Sequence, residues 1–358
     1  MILITFLAGL ALLIFGADVL VRGAARLSLS LGIAPLVVGL TVVAFGTSAP
    51  ELAVSVKGAL DGQTDIALGN VVGSNILNVL FVLGVSALLA PLVVDRQLIR
   101  QEVPILIGLS ALVAWMSADA NVSVLDGVVL CSIIVAYTGL LYWQGKRAPA
   151  SEVSDDLLPA ATGATSRLPV QIALIVLGLA MLVLGSQWLV DAATTFAKML
   201  GVSELIIGLT IVSFGTSLPE VATSIIAALR GEREIAVGNV LGSCIFNLMA
   251  VLGISAVVSG SGLQVPAALM AFDIPVMVAV AVACLPVLAT GHLIARWEGA
   301  LFLAYYVAYV AYLVLYTQDH DALEEYTLVM STVVIPLTAL TLAVVSWREI
   351  KRWRREHA

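Results

Sequence analysis

Two glutamates, Glu51 and Glu220, end the matching motifs GTSAPE (46–51) and GTSLPE (215–220), each set in an otherwise apolar run. A carboxylate held in hydrocarbon is costly and marks a functional site by default. Pro50 and Pro219 each remove a backbone donor and clash with the carbonyl four residues back. The residue before each proline is pushed from helical geometry, so the helix is predicted to open around 45–49 and 214–218. Freed carbonyls in a membrane need another partner, and a cation is a natural one. Thr47, Ser48, Thr216 and Ser217 add hydroxyls at the same place. Further along, GNVVGSNILN (69–78) and GNVLGSCIFN (238–247) put Ser74 with Asn78, and Ser243 with Asn247, four residues apart on one helical face. Gly69/Gly73 and Gly238/Gly242 form small-xxx-small pairs that permit close helix approach. The donors are all oxygen: two carboxylates, two amides, hydroxyls and carbonyls. No His or Cys pair has metal-ligand spacing, which argues against zinc or copper. Hard cations take oxygen ligands, about 6–8 of them for Ca²⁺. Two carboxylates neutralise one divalent ion, and could equally be satisfied by several Na⁺ ions or by protons. Competition for one oxygen set is the physical basis of exchange.

These residues belong to a duplication. Residues 31–89 align without a gap on 200–258, with 32 of 59 positions identical and an offset of 169 residues. The chain has 358 residues, 61% hydrophobic and 11% charged. A soluble domain carries about a quarter charged residues, so this is a polytopic membrane protein. Its formal charge of −7 says little about partners, and its three cysteines lie in apolar segments that suggest no disulfide framework. The first 21 residues lack a basic leader and a cleavage site, and read as a first span rather than a signal peptide.

A spanning helix needs about 20 apolar residues. Eleven runs qualify, at roughly 2–21, 33–60, 66–90, 102–118, 124–143, 169–192, 203–229, 234–258, 272–291, 297–316 and 328–347. With the N-terminus outside, 15 of the 17 Lys and Arg fall on the inner side; only Lys57 and Lys198 fall outside. That bias predicts N-out, C-in. Each half holds five spans, and the odd number turns the second copy over in the membrane. The expected fold is therefore all-α, with two inverted five-helix repeats and an extra C-terminal helix. The first repeat covers 1–143. A cytoplasmic linker at 144–168, rich in Ala, Ser, Pro and Thr, leads to the second repeat at 169–316. An acidic outer loop (317–327), the eleventh span (328–347) and a basic cytoplasmic tail (348–358) follow. Weaker matches extend the repeat: 15–24 with 184–193, Glu102-Val103-Pro104 with Asp273-Ile274-Pro275, and Asp126-Gly127 with Glu298-Gly299. Glu102 and Asp273, ahead of span-start prolines, read as helix N-terminal charges. Cys244, which stands where the first repeat has Asn75, reads as a packing residue, as does Asn75.

The paired GTSxPE and GNxxGSxxxN segments closely resemble the alpha repeats of the cation/calcium antiporter superfamily, in particular prokaryotic Na⁺/Ca²⁺ exchangers. The resemblance covers residues 1–316. It implies ions held between spans 2, 3, 7 and 8, with Glu51 and Glu220 shared by Ca²⁺ and Na⁺. By the same resemblance Thr47 and Thr216 give backbone carbonyls to Ca²⁺, and Asn78 and Asn247 close the central site. Ser48, Ser217, Ser74 and Ser243, with the carbonyls of Ala44 and Ser213, help form flanking Na⁺ sites. Spans 1 and 6 would slide against the rest to alternate access. Some prokaryotic members carry Asp where this chain has Asn247, so the central site here holds two acids rather than three.

The sequence thus reads as a secondary antiporter exchanging Ca²⁺ for Na⁺ in the plasma (inner) membrane of a prokaryote. The transport unit is expected to be a monomer. Its partners are the two ions and the lipid bilayer, with no cofactor, no catalysis and no nucleic acid. A Ca²⁺/H⁺ or K⁺-assisted exchanger of the same fold is the nearest alternative. A cation channel would want one continuous polar path, whereas the polar residues here cluster at mid-depth. No P-loop or soluble domain exists for ATP-driven transport.

Overall fold

The computed structural model describes residues 2–145, 168–199, 213–289, 291–318, 320–341 and 343–344. Residues 146–167 of the linker, residues 203–212 of the seventh span and the basic tail (348–358) lie outside the described residues.

Nine described helices are long and apolar enough to cross a membrane. They are α1 (Ile2–Leu31), α4 (Thr64–Leu89), α5 (Leu98–Asp119), α6 (Val124–Gln144), α7 (Leu168–Met199), α9 (Arg233–Val258), α10 (Leu269–Ala289), α11 (Arg296–Thr317) and α12 (Ala322–Thr341). A tenth span is the pair α2 (Pro35–Thr47) and α3 (Ala49–Leu60), bent by 45° where they meet. The shorter apolar helix α8 (Leu218–Leu229) follows a helical turn at Ser213–Thr216. Pro35 starts α2 at its first turn, where a missing N–H costs nothing. Gly62 (φ +74°) and Gly231 (φ +81°) make the equivalent tight turns after α3 and α8, a left-handed backbone that favours glycine.

Four two-residue strands at the helix ends reveal how the halves are related. β1 (Leu92–Val93) follows α4 and pairs with β4 (Leu293–Ile294); β2 (Asn121–Val122) follows α5 and pairs with β3 (Leu263–Gln264). Since α5 crosses back after β1, β1 and β2 lie at opposite ends of the bundle. β3 follows α9, the counterpart of α4, yet sits at the end of β2 rather than β1. The second repeat is therefore inverted, as the odd span count requires.

The most buried helices are α4 and α9, with 78% and 83% of their apolar windows inside the protein, against 22% for α1 and 28% for α7. The centre is thus built by the two GNVxGS helices, each packed beside a GTSxPE helix. α1 and α7 lie together along the outside and make the most extensive helix pairing among the described residues. Asp18 on α1 pairs with Arg22 one turn on (3.0 Å) and with Arg230 at the end of α8. Equivalent glycines bring the outer helices onto the central pair: Gly127 of α6 lies against Gly253 of α9, and Gly84 of α4 against Gly299 of α11.

Two expectations shift. Glu102 and Asp273 are not lone helix-start charges. α5 and α10 begin about a turn earlier, at Leu98 and Leu269. Each carboxylate instead accepts from a tyrosine hydroxyl of the next helix, Tyr137 (2.6 Å) and Tyr309 (2.7 Å). Helix α12 starts at Ala322, inside the segment read as an outer loop at 317–327. Glu324 and Glu325 fall in its first turn, where acidic side chains suit the helix dipole.

Candidate functional site

The helix opens where the prolines demand. Between α2 and α3, Ser48 leaves helical geometry (φ −81°, ψ 6°), and between Thr216 and α8, Ser217 does the same (φ −88°, ψ 5°). Across the first break two backbone bonds persist, Ser48 N–H to the Ala44 carbonyl and Leu52 N–H to the Ser48 carbonyl, both 3.1 Å. Pro50 offers no N–H to Gly46. Thr47 Oγ1 lies 3.4 Å from the Ala44 carbonyl oxygen. In the second repeat, Pro219 withholds the N–H that Gly215 would accept, and the Ser186 hydroxyl of α7 donates to that carbonyl instead. The first repeat has Ala17 at the place of Ser186.

Around the breaks each repeat holds the glutamate of the other. Ser217 Oγ donates to Glu51 Oε1 (2.8 Å), and Ser48 Oγ donates to Glu220 Oε1 (3.1 Å). Ser74 Oγ lies 3.3 Å from Ser217 Oγ, and Ser243 Oγ lies 3.5 Å from Glu220 Oε1 and 3.4 Å from Thr47 Oγ1. Thr47 Oγ1 donates to Asn239 Oδ1 (3.0 Å), and Thr216 Oγ1 donates to Asn70 Oδ1 (3.3 Å). Glu51, Glu220, Ser48, Ser217, Asn78 and Asn247 are all fully buried.

The second carboxylate oxygens have no such partner. Glu51 Oε2, Glu220 Oε2 and both amide atoms of Asn78 and Asn247 are buried without a hydrogen bond. Buried polar atoms are almost always satisfied, and one left alone costs about 1–3 kcal/mol. All four residues that end the duplicated motifs, two acids and two amides, carry such orphans. Among the described residues neither glutamate has a Lys or Arg partner; the ion pairs there belong to Asp18. Two unpaired buried carboxylates call for positive charge from outside the protein. Among the described residues no group of three or more His, Cys, Asp or Glu side chains could hold a metal ion. The site's remaining donors are neutral oxygens, which suit a hard cation.

The structure thus brings together Glu51, Glu220, Thr47, Thr216, Ser48, Ser217, Ser74 and Ser243, with Asn78 and Asn247 at the same two central helices. Ser213 contributes backbone to the turn before Thr216. Four residues escaped the sequence reading. Asn70 Nδ2 donates to the Glu51 carbonyl (3.1 Å) and to Ser55 Oγ (2.9 Å). Asn239 Nδ2 repeats this with the Glu220 carbonyl (3.4 Å) and Ser224 Oγ (2.9 Å). Their signal was present, since all four lie at the 169-residue offset inside the alignment. Asn75 and Cys244 meet each other, Sγ to carbonyl oxygen 3.8 Å. Being equivalent positions in contact, they mark where the pseudo-two-fold axis crosses the protein.

The inter-repeat serines yield a first prediction. A hydrogen bond to a charged group contributes about 1.5–3 kcal/mol, so Ser217→Ala or Ser48→Ala should weaken cation binding about ten-fold or more. Ser217→Thr, which keeps the hydroxyl, should lose much less. Isothermal titration with Na⁺ and with Ca²⁺ in detergent checks both, and unchanged affinity for both ions in the Ala variants would detach these serines from the site.

A family described as sodium/calcium exchanger protein matches residues 1–143 and 170–315. A putative antiporter, CaxA of Alkalimonas amylolytica, is 40% identical over 312 residues, covering 85% of this chain and 95% of that protein. The sodium/calcium exchanger MaX1 of Methanosarcina acetivorans is 32% identical over 341 residues, covering 86% and 97%. Among solved structures, the sodium-calcium exchanger NCX_Mj soaked with 10 mM Na⁺ and 10 mM Sr²⁺ superposes with a TM-score of 0.75 at 31% identity, over 87% of this chain and 97% of that one.

Proposed function

The chain belongs to the sodium/calcium exchanger family of cation/calcium antiporters, and we infer that it exchanges Ca²⁺ for Na⁺ by alternating access at the site between the two breaks. One observation carries the reading. Two fully buried carboxylates, without a basic partner among the described residues, each keep one unbonded oxygen in company with two unbonded amides. A divalent cation matches the two charges. Na⁺ ions match the same charges one by one and find further neutral oxygens nearby, so the two ions compete for the carboxylates.

In this reading Glu51 and Glu220 bind Ca²⁺ and Na⁺ in turn. The Thr47 and Thr216 carbonyls and the Asn78 and Asn247 amides complete the central shell. Ser48, Ser217, Ser74 and Ser243 serve flanking Na⁺ sites with the Ala44 and Ser213 carbonyls. α1 and α7 move as a pair against the core to expose the site to either side. One chain is a complete transport unit, since both halves of the site come from it. The bias of Lys and Arg supports an N-out orientation in a prokaryotic plasma membrane.

Proteoliposomes loaded with Na⁺ should take up ⁴⁵Ca²⁺ when diluted into Na⁺-free medium, and vesicles carrying only a pH gradient should not. Uptake driven by the pH gradient alone would replace Na⁺ by H⁺ as the coupling ion and remove the flanking Na⁺ sites.

A further inference from the structure

Beyond the two breaks, both central helices carry a second pair of equivalent polar residues. Ser86 of α4 and Ser255 of α9 stand at the 169-residue offset. Both are fully buried, and both hydroxyls lack a hydrogen-bond partner. That is unusual inside a helix, where a serine ordinarily turns its hydroxyl back to the carbonyl four residues earlier. Ser110 does so with Leu106 (2.8 Å) and Ser132 with Val128 (2.7 Å).

The backbone explains where these hydroxyls sit. In a regular α-helix, eight residues overshoot two full turns by about 80°, which would carry Ser86 off the face of Asn78. Between them the helix widens into a π turn over Asn78–Leu83, and the second repeat does the same over Asn247–Val251. A π turn takes more residues per revolution and absorbs the overshoot. Ser86 therefore returns to the face of Asn78, and Ser255 to that of Asn247, about 12 Å farther along each helix at 1.5 Å per residue. Both amides are themselves unpartnered.

The facing helices differ. α8 packs along the second half of α4, and α3 along the second half of α9. On α8, Thr223 is fully buried with its own hydroxyl unpartnered. Its counterpart on α3 is Val54. Beyond each central amide the same helix thus carries a second buried, unpartnered hydroxyl toward one end, and the packed helix α8 adds a further one, Thr223, in the α4 half.

We propose that Ser86 with Thr223, and Ser255 in the inverted half, are transit sites that hold a partly hydrated Na⁺ between the central site and the two membrane surfaces. The ligands are neutral oxygens only. They offer nothing to offset a divalent charge or to replace the full oxygen shell of Ca²⁺, so the sites favour the monovalent ion. The proposal rests on Na⁺ being the coupling ion, and its test separates the two questions.

Full-length Ser86→Ala/Thr223→Val and Ser255→Ala proteins, with Ser86→Thr as a hydroxyl-retaining control, are compared in proteoliposomes in two modes. One is Na⁺-driven ⁴⁵Ca²⁺ uptake; the other is Ca²⁺–Ca²⁺ exchange in the absence of Na⁺. The expected result is a roughly three- to ten-fold rise in the Na⁺ concentration for half-maximal uptake, largest for the Ser86/Thr223 pair, with Ca²⁺–Ca²⁺ exchange kept and Ser86→Thr near wild type. An unchanged Na⁺ dependence would overturn the proposal, as would an equal loss in both modes, which marks a packing role. Absence of Na⁺-driven uptake in the wild type would overturn the Na⁺/Ca²⁺ reading itself, a distinct failure visible before any variant is compared.

Discussion

Glu51→Gln and Glu220→Gln should each abolish Ca²⁺ transport, with uptake reduced at least about 100-fold. Each change is nearly isosteric and keeps an oxygen, so the fold has no reason to suffer. What goes is one of two negative charges in a site where no basic side chain of the described residues compensates either. At a fully buried position the charge acts through a low dielectric, where attraction to a divalent ion is far stronger than in water. The loss therefore exceeds that expected of the serines around it. The serines cross between repeats, Ser217 to Glu51 and Ser48 to Glu220, so both glutamates serve one site and neither substitution should be the milder. Ca²⁺ should also cease to raise the melting temperature of either variant, because a ligand stabilises only the state it binds. Retained uptake in either protein would remove that glutamate from the site.

Much of this was legible in the residues, and the legible parts share a cause. In hydrocarbon every polar group needs a reason, so Glu51, Glu220 and their serines stood out. Proline geometry located the breaks to within a residue or two, at Ser48 and Ser217. Inversion followed from span parity and reappears in the crossed pairing of β1 with β4 and β2 with β3. Three things were hidden. Asn70 and Asn239 lie inside the GNxxGSxxxN motif, but nothing in their spacing ties them to the glutamates; only the fold shows each one tying a broken helix to its neighbour. The π turns after Asn78 and Asn247 have no composition signal, and without them Ser86 and Ser255 appear to face elsewhere. The start of α12 at Ala322 was masked by its acidic first turn, which hydropathy reads as loop and helix electrostatics read as a favourable beginning.

Gly185→Val should be the most damaging substitution outside the ion site, with exchange at least about ten-fold slower while Ca²⁺ still protects the protein against heat. α1 and α7 cross with Gly9 against Gly185 and Gly16 against Gly178. A Cβ at Gly185 would fall 2.8 Å from the Gly9 carbonyl oxygen and 2.8 Å from the Leu13 nitrogen, backbone atoms that cannot turn aside. The helices would have to separate, and in lipid the packing they lose is not replaced by a hydrophobic drive. The consequence reaches the site because α7 packs on both breaks. Leu179 fills the space beside Gly46, Val190 fills that beside Gly215, and Ser186 donates to the Gly215 carbonyl. A displaced α7 thus disturbs the backbone that carries Thr47, Ser48, Thr216 and Ser217, yet it supplies neither glutamate nor either central amide. Ca²⁺ binding should persist, weakened through the Thr47 and Thr216 carbonyls, where turnover is lost, opposite to the Glu51→Gln result, in which both vanish together. Gly178→Ala, a smaller intrusion at the neighbouring crossing point, should lie between wild type and Gly185→Val. Wild-type turnover in Gly185→Val would mean that the α1–α7 seam tolerates expansion and that motion at the breaks does not depend on it.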